Sequence, residues 1–225
     1  MIKEKIAIVL VGGEKRKIIK EATKKIGWVE LRVDKFLKNF SESHLLEWIK
    51  EIKKLTNKKI IGTIRWYKEQ ANPKFYISEE KRITIYKKII PFVDYIDVEV
   101  KSKIAPSIIN YARIKNKKII LSYHNFITTP NPNELEKLYL KSKKLNCDIF
   151  KIATKVNDFN DILTLLNFIH KKKNKVIAIP MGVSIFERLV FVFWGSFLTY
   201  VSIKEKTAPG QPSYQQIIKL LNTKI

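Results

Sequence analysis

Along the chain, short runs of β-branched and other apolar residues alternate with longer segments whose apolar positions recur at helical spacing. The alternation predicts eight strands, over residues 5–11, 28–34, 59–65, 95–100, 118–124, 148–154, 176–182 and 197–203. Between and after them the helical patterns begin near Glu14, Ser41, Ser78, Lys101, Asn131, Asn157, Ser184 and Pro212. Some of these starts carry their own chemistry. In Asn131-Pro132-Asn133-Glu134 a capping side chain, a proline at the first helical position and a glutamate three residues past the cap occur together. Strict strand–helix alternation calls for parallel strands joined by right-handed crossovers, and eight such units fit a (β/α)₈ barrel, an α/β fold. No repeat, low-complexity tract or linker divides residues 1–225, so one domain is expected. The alternative, an open doubly wound sheet, would place a Gly-rich phosphate turn after its first strand. Val11-Gly12-Gly13-Glu14 is only a fragment of that pattern and reads as a tight turn.

Composition narrows the setting. With 225 residues, 45% of them hydrophobic, the chain can bury a sizeable core, which excludes disorder. A lone cysteine, Cys147, forms no internal disulfide and no Cys-based zinc site, pointing to a reducing compartment; it reads as an inert small hydrophobe. The first apolar run is too short for a signal peptide. The longest, 189–201, has about thirteen residues against the roughly 18 a membrane span needs. A cytoplasmic protein with no membrane partner is expected. The formal charge of +23 invites a nucleic-acid partner, but only six of the 44 basic residues are arginines: Arg16, Arg32, Arg65, Arg82, Arg113 and Arg188. Lysines spread in twos and threes over helix faces read as a solvated surface, so no nucleic acid is expected.

Strands buried on both faces should be apolar throughout, yet six of these eight carry polar residues at period two toward their C-terminal ends. The second strand places Glu30, Arg32 and Asp34 on one face; the third adds Thr63 and Arg65, the fourth Asp97 and Glu99, the fifth Ser122 and His124, and the sixth Lys151. The seventh ends at Met181. In a barrel all of these converge on the mouth where such folds place their sites. Taken singly, Glu30 with Arg32 and Arg65 with Glu99 read equally well as structural ion pairs, and His124 as a satisfied core histidine. Lys151 is harder to explain away. It is flanked by Ile149, Phe150, Ile152 and Ala153, and desolvating an unpaired ammonium costs several kcal/mol. A desolvated lysine near other cations becomes a nucleophile toward carbonyls. One histidine among carboxylates is too few nitrogen ligands for catalytic zinc, and a magnesium site on Glu30, Asp97 and Glu99 would compete with the adjacent arginines. No metal is expected. His44 and His170 lie on helical patterns and read as surface residues.

Five motifs in order along the chain carry a resemblance: Glu30-Leu31-Arg32-Val33-Asp34; Thr63-Ile64-Arg65 with Glu69 after it; Ser122-Tyr123-His124-Asn125-Phe126 followed by Thr129-Pro130; Phe150-Lys151-Ile152-Ala153; and Ala208-Pro209-Gly210-Gln211. Together they resemble the type I 3-dehydroquinate dehydratases. The resemblance implies a (β/α)₈ barrel that forms homodimers, needs no cofactor, and dehydrates 3-dehydroquinate to 3-dehydroshikimate. It makes Lys151 the Schiff-base lysine and His124 the general acid/base, with Glu30 orienting His124. Arg32, Arg65, Glu69, Met181, Thr207 and Gln211 would line the substrate, and Arg188 would hold its carboxylate. The chain departs from the pattern in having Gln70-Ala71 where two glycines are usual, Thr207 where serine is common, and a Met181–Arg188 segment one residue short with Glu187 in place of a serine. Two other readings remain: another Schiff-base barrel such as an aldolase on a phosphorylated sugar, for which Pro209-Gly210-Gln211 is a poor phosphate nest, and a basic nucleic-acid-binding protein.

Overall fold

The computed structural model describes residues 2–71, 75–172 and 175–222. Its eight parallel strands are β1 (Ile6–Leu10), β2 (Trp28–Arg32), β3 (Lys59–Thr63), β4 (Tyr95–Glu99), β5 (Lys118–Asn125), β6 (Ile149–Lys155), β7 (Val176–Met181) and β8 (Thr199–Ser202). The helices are α1 (Arg16–Lys25), α2 (Val33–Asn39), α3 (Leu45–Leu55), α4 (Glu79–Ile89), α5 (Ala105–Ile114), α6 (Pro132–Lys144), α7 (Phe159–Lys172), α8 (Ile185–Trp194) and α9 (Tyr214–Asn222). The strands hydrogen-bond in the order β7-β6-β5-β4-β3-β2-β1-β8. The amide of Phe197 donates to the carbonyl of Val176 at 2.9 Å and brings the two ends together. The result is the nearly closed (β/α)₈ barrel that the alternation called for.

Strand side chains alternate between two cores. Outward-facing residues such as Ile8, Leu31, Ile60, Ile96, Leu121 and Ile152 pack on the helices. Inward-facing Ala7, Val9, Ile61, Tyr95, Ile120, Ile149, Ile177 and Leu198 fill the lower barrel. There the Trp28 ring meets Tyr95 at 5.0 Å and Phe197 at 5.6 Å, both edge to face, so the N-terminal end is plugged and only the C-terminal end opens.

Several helices begin where their capping chemistry predicts. Asn131 and Glu134 close a capping box with Pro132 at the first helical position, and Ser78 caps α4. Other boundaries move. The second strand ends at Arg32, not Asp34, because the chain turns at once into α2, a helix the periodicity does not announce. The eighth strand is shorter than 197–203. Near Ser41 a 3₁₀ turn, Glu42–His44, precedes α3, and the helix expected at Lys101 starts at Ala105. No described helix is long and apolar enough to cross a membrane.

Candidate active site

One inward residue from each even-numbered strand meets on the barrel axis: Glu30 from β2, Asp97 from β4, Lys151 from β6 and Tyr200 from β8. Such four-residue layers drawn from alternate strands are how barrels of this kind fill their interiors. Lys151 Nζ lies 2.8 Å from Asp97 Oδ2 and 3.4 Å from Glu30 Oε1, and 4.2 Å from the centre of the Tyr200 ring. All four side chains are buried. The lysine is therefore not the unpaired cation among arginines that its apolar flanks suggest; two carboxylates hold it.

These carboxylates belong to a wider network. Arg65 reaches Asp97 at 3.0 Å, Glu99 at 2.9 Å and the Ser122 hydroxyl at 2.7 Å, and Ser122 donates to Asp97 at 2.6 Å. Arg82, fully buried on α4, holds the other oxygen of Glu99 and donates twice to the carbonyl of Ile64. Thr63 donates to Glu30 at 3.0 Å. Asp34, carried just past β2, grips Arg32 with both oxygens, at 2.9 and 2.8 Å, and accepts the Arg65 amide. Burial alone would raise Asp97, but Arg65 and Lys151 outweigh it and keep the group well below the ordinary carboxylate range. Burial would likewise lower Arg65, and Asp97 and Glu99 reverse it. Glu30, Asp97 and Glu99 are thus taken up by Lys151, Arg65 and Arg82.

His124, on β5, has a different partner from the one expected. A 3₁₀ turn after β3, Tyr67–Glu69, carries Glu69 over β5, where its Oε2 accepts both the backbone amide of His124, at 2.8 Å, and Nδ1, at 3.0 Å. Glu30 reaches Lys151 and Thr63 instead, because its layer lies below the histidine's. Oε2 accepts the amide, and in the tautomer that carries its proton on Nδ1 it accepts from the ring as well, leaving Nε2 with its lone pair. Burial, then Glu99, raises Glu69 to about 8. Burial, then Arg65 and Lys151, pushes His124 well below its ordinary value, so the imidazole stands neutral.

Above the lysine opens a cavity of about 290 Å³, lined by Glu30, Arg32, Lys35, Arg65, Glu69, Gln70, Ala71, His124, Phe126, Lys151, Ala153, Ile179, Arg188, Tyr200 and the 206–211 loop. That is the size of a small metabolite's site. Arg188 projects from α8 and is 2% exposed. The only described hydrogen bond of its side chain goes to the carbonyl of Pro209, at 2.8 Å, and its Nε has no partner among the described residues. With no carboxylate beside it among the described residues, burial lowers it to about 10. Glu187, where a serine was expected, closes a capping box with Ser184 and so fixes the first turn of α8 from which Arg188 springs. Gln211 accepts the amide and hydroxyl of Thr207, at 2.6 and 3.1 Å, giving the last loop its shape.

Nine of the ten residues singled out from the sequence line this one cavity. Met181 does not: it is wholly buried at the end of β7, where the Gly182 amide bonds to the carbonyl of Pro209 and the last loop closes over it. Ile179, two residues earlier, takes that wall. Asp97 and Tyr200 were not assigned a place beside the lysine. Asp97 has a signal in the sequence, a carboxylate inside a buried strand; an aromatic in an apolar strand has none.

A parallel barrel whose C-terminal mouth joins a buried lysine, a neutral histidine and an arginine with no carboxylate partner among the described residues has the make-up of a barrel enzyme. Comparison with known proteins gives the family. A family model described as Type I 3-dehydroquinase matches residues 6–224. The 3-dehydroquinate dehydratase of Thermodesulfovibrio yellowstonii is 36% identical over 96% of this chain and 93% of its own length. The crystal structure of the 3-dehydroquinate dehydratase from Aquifex aeolicus superposes with a TM-score of 0.80 at 29% identity, covering 96% of both chains. A type I 3-dehydroquinate dehydratase from Clostridium difficile, with covalently modified comenic acid, gives 0.82 at 27% over 97% of this chain and 91% of that one. The chain belongs to the type I 3-dehydroquinase family, whose dehydratases are hydro-lyases.

Proposed function

We propose that the protein dehydrates 3-dehydroquinate to 3-dehydroshikimate through an imine on Lys151. The observation that carries this reading is Lys151 Nζ on the cavity floor, 2.8 Å from Asp97, with a neutral His124 lining the same cavity. The amine adds to the ring ketone; the ketone oxygen leaves as water and the nitrogen becomes a cationic imine, an electron sink that acidifies the adjacent C–H. His124 Nε2 takes that proton. The imidazolium then protonates the hydroxyl on the next carbon as it leaves as a second water, and hydrolysis of the imine returns the lysine. Acid–base help of this kind contributes about 10²–10⁴ in rate. Glu69 keeps the histidine in the right tautomer, and Glu30 and Asp97 hold the lysine.

Arg188 binds the substrate carboxylate, because a buried guanidinium with no carboxylate partner among the described residues offers its fork to an anion. Arg32, Thr207 and Gln211 complete the frame. The sugar-phosphate alternative finds no support here: the last loop has one glycine, and its amides are partly used internally, Thr207 and Gln211 among them. The reading brings with it a homodimeric, cytoplasmic enzyme, supported by the family resemblance and by a buried free thiol at Cys147.

Borohydride added with 3-dehydroquinate tests it. The expected result is inactivation, with the dehydrated ligand attached to the peptide holding Lys151 and none on Lys151→Ala. A label on surface lysines instead, or no substrate-dependent mass in an active sample, rules the imine out.

A further inference from the structure

Tyr200 shares the layer of Glu30, Asp97 and Lys151, yet the mechanism above leaves it idle. It is 5% exposed, and its hydroxyl is buried without a hydrogen-bond partner among the described residues. Buried tyrosines usually satisfy that hydroxyl, so the residue is not held here by the bond its polar end makes. What it does present is its face, 4.2 Å from the lysine nitrogen and well inside the range of a cation–π contact. The contact completes a cradle: Asp97 on one side at 2.8 Å, Glu30 on another at 3.4 Å, the ring on a third. Burial, Glu30 and Asp97 all keep the phenol protonated, so the ring remains neutral and its face available.

We propose that Tyr200 is a positioning residue for Lys151, its ring face holding the cationic nitrogen first as ammonium and then as iminium. The proposal rests on the imine reading. When Nζ bonds to the ketone carbon and the oxygen departs as water, the nitrogen gives up two of its three ammonium hydrogens for the double bond to carbon and keeps one N–H and its positive charge. The one N–H that remains can satisfy only one of the two carboxylates, whereas a π face attracts the charge in both states whatever hydrogens the nitrogen carries. The ring would thus keep the nitrogen in one place through the step and favour the charged imine that acidifies the C–H.

The test replaces Tyr200 by phenylalanine and then by phenylalanines carrying one, two and three ring fluorines, which hold the shape nearly constant while draining negative charge from the face. Tyr200→Phe, which keeps the ring face, is the reference against which the fluorinated series is read. Each fluorine should lower kcat and the amount of imine trapped by borohydride on Lys151, reaching a loss on the order of 10-fold at three, with KM and melting temperature little changed. A role in packing alone predicts a flat kcat series, and that result overturns the proposal, as does a series in which KM alone moves. A wild-type protein that traps no imine on Lys151 removes the imine reading and this proposal with it. A labelled wild type with a flat series removes this proposal only.

Discussion

Two of the three arginines that line the cavity, both buried, stand in opposite surroundings. Arg65, at the β3–β4 rim, touches Asp97, Glu99 and Ser122, and the carboxylates hold it firmly charged. Arg188, on α8 at the opposite rim, meets one carbonyl and no described carboxylate, and burial lowers it. A buried charge must be compensated, and the two rims do so at different times. Around Arg65 compensation is complete when the chain folds. At Arg188 it is incomplete until an anion arrives, which makes that rim a binding site and the other a scaffold. The β2–β5 side of the barrel accordingly carries the ionic network, while β7, β8 and β1 contribute Ile177, Ile179, Leu198, Tyr200, Ala7 and Val9.

The contrast breaks if the two arginines respond alike to removal. Arg65→Met leaves Asp97 and Glu99 buried with a cation missing, a loss of about 3–5 kcal/mol by precedent, so chemical denaturation should show a large fall in stability and no activity should survive. Arg188→Met removes a cation that nothing offsets. Its stability should be unchanged or higher, while kcat/KM falls on the order of 10²-fold, the cost of truncating one partner of a buried charge pair. A carboxylate ligand should raise the melting temperature of the wild type and not of Arg188→Met. Arg188→Lys keeps the charge and loses the fork, so a smaller but clear rise in KM is expected, read from initial rates.

A different readout, the pH dependence of stability, lies at Glu69. Its carboxyl is raised from 4.5 to about 8, so the folded protein keeps a proton that the unfolded chain has released. Stability from this group is present below pH 4.5 and is lost as pH climbs to about 8. Glu69→Gln cannot titrate, and its stability plotted against pH should lack that downward slope relative to the wild type.

Much of this site was legible in the sequence because period two is a geometric law of strands: Glu30, Arg32, Arg65, His124 and Lys151 stood out as polar residues where burial forbids them. What the alternation could not supply came from elsewhere. Glu69 sits in a turn after a strand, and no alternation says which strand it reaches; so Glu30 was expected to orient His124 when Glu69 does. Met181 obeys the alternation but is roofed by the 206–211 loop, which comes after the next helix and strand and which the pattern of its own strand does not foretell. Arg188 lies on a helix, where only the resemblance marked it. The lysine's counter-ions were visible as residues, and their convergence on it required the tilt of the barrel, which no single strand records.

The barrel's seam has a mechanical consequence. Seven strand pairs are laced by registered ladders, but β7 and β8 meet through the amide of Phe197, which donates to the carbonyl of Val176, and the buried hydroxyl of Ser196, which accepts from the Ala178 amide. A cylinder closed this way behaves as a ring with a clasp: hoop stiffness is high around most of the circumference and low across one gap. The connection that spans the gap is α8, which carries Arg188, whereas Lys151 stands on β6, inside the laced arc. Heating or pressure that works the clasp will therefore move the anion's anchor relative to the amine while leaving the amine's own surroundings in place.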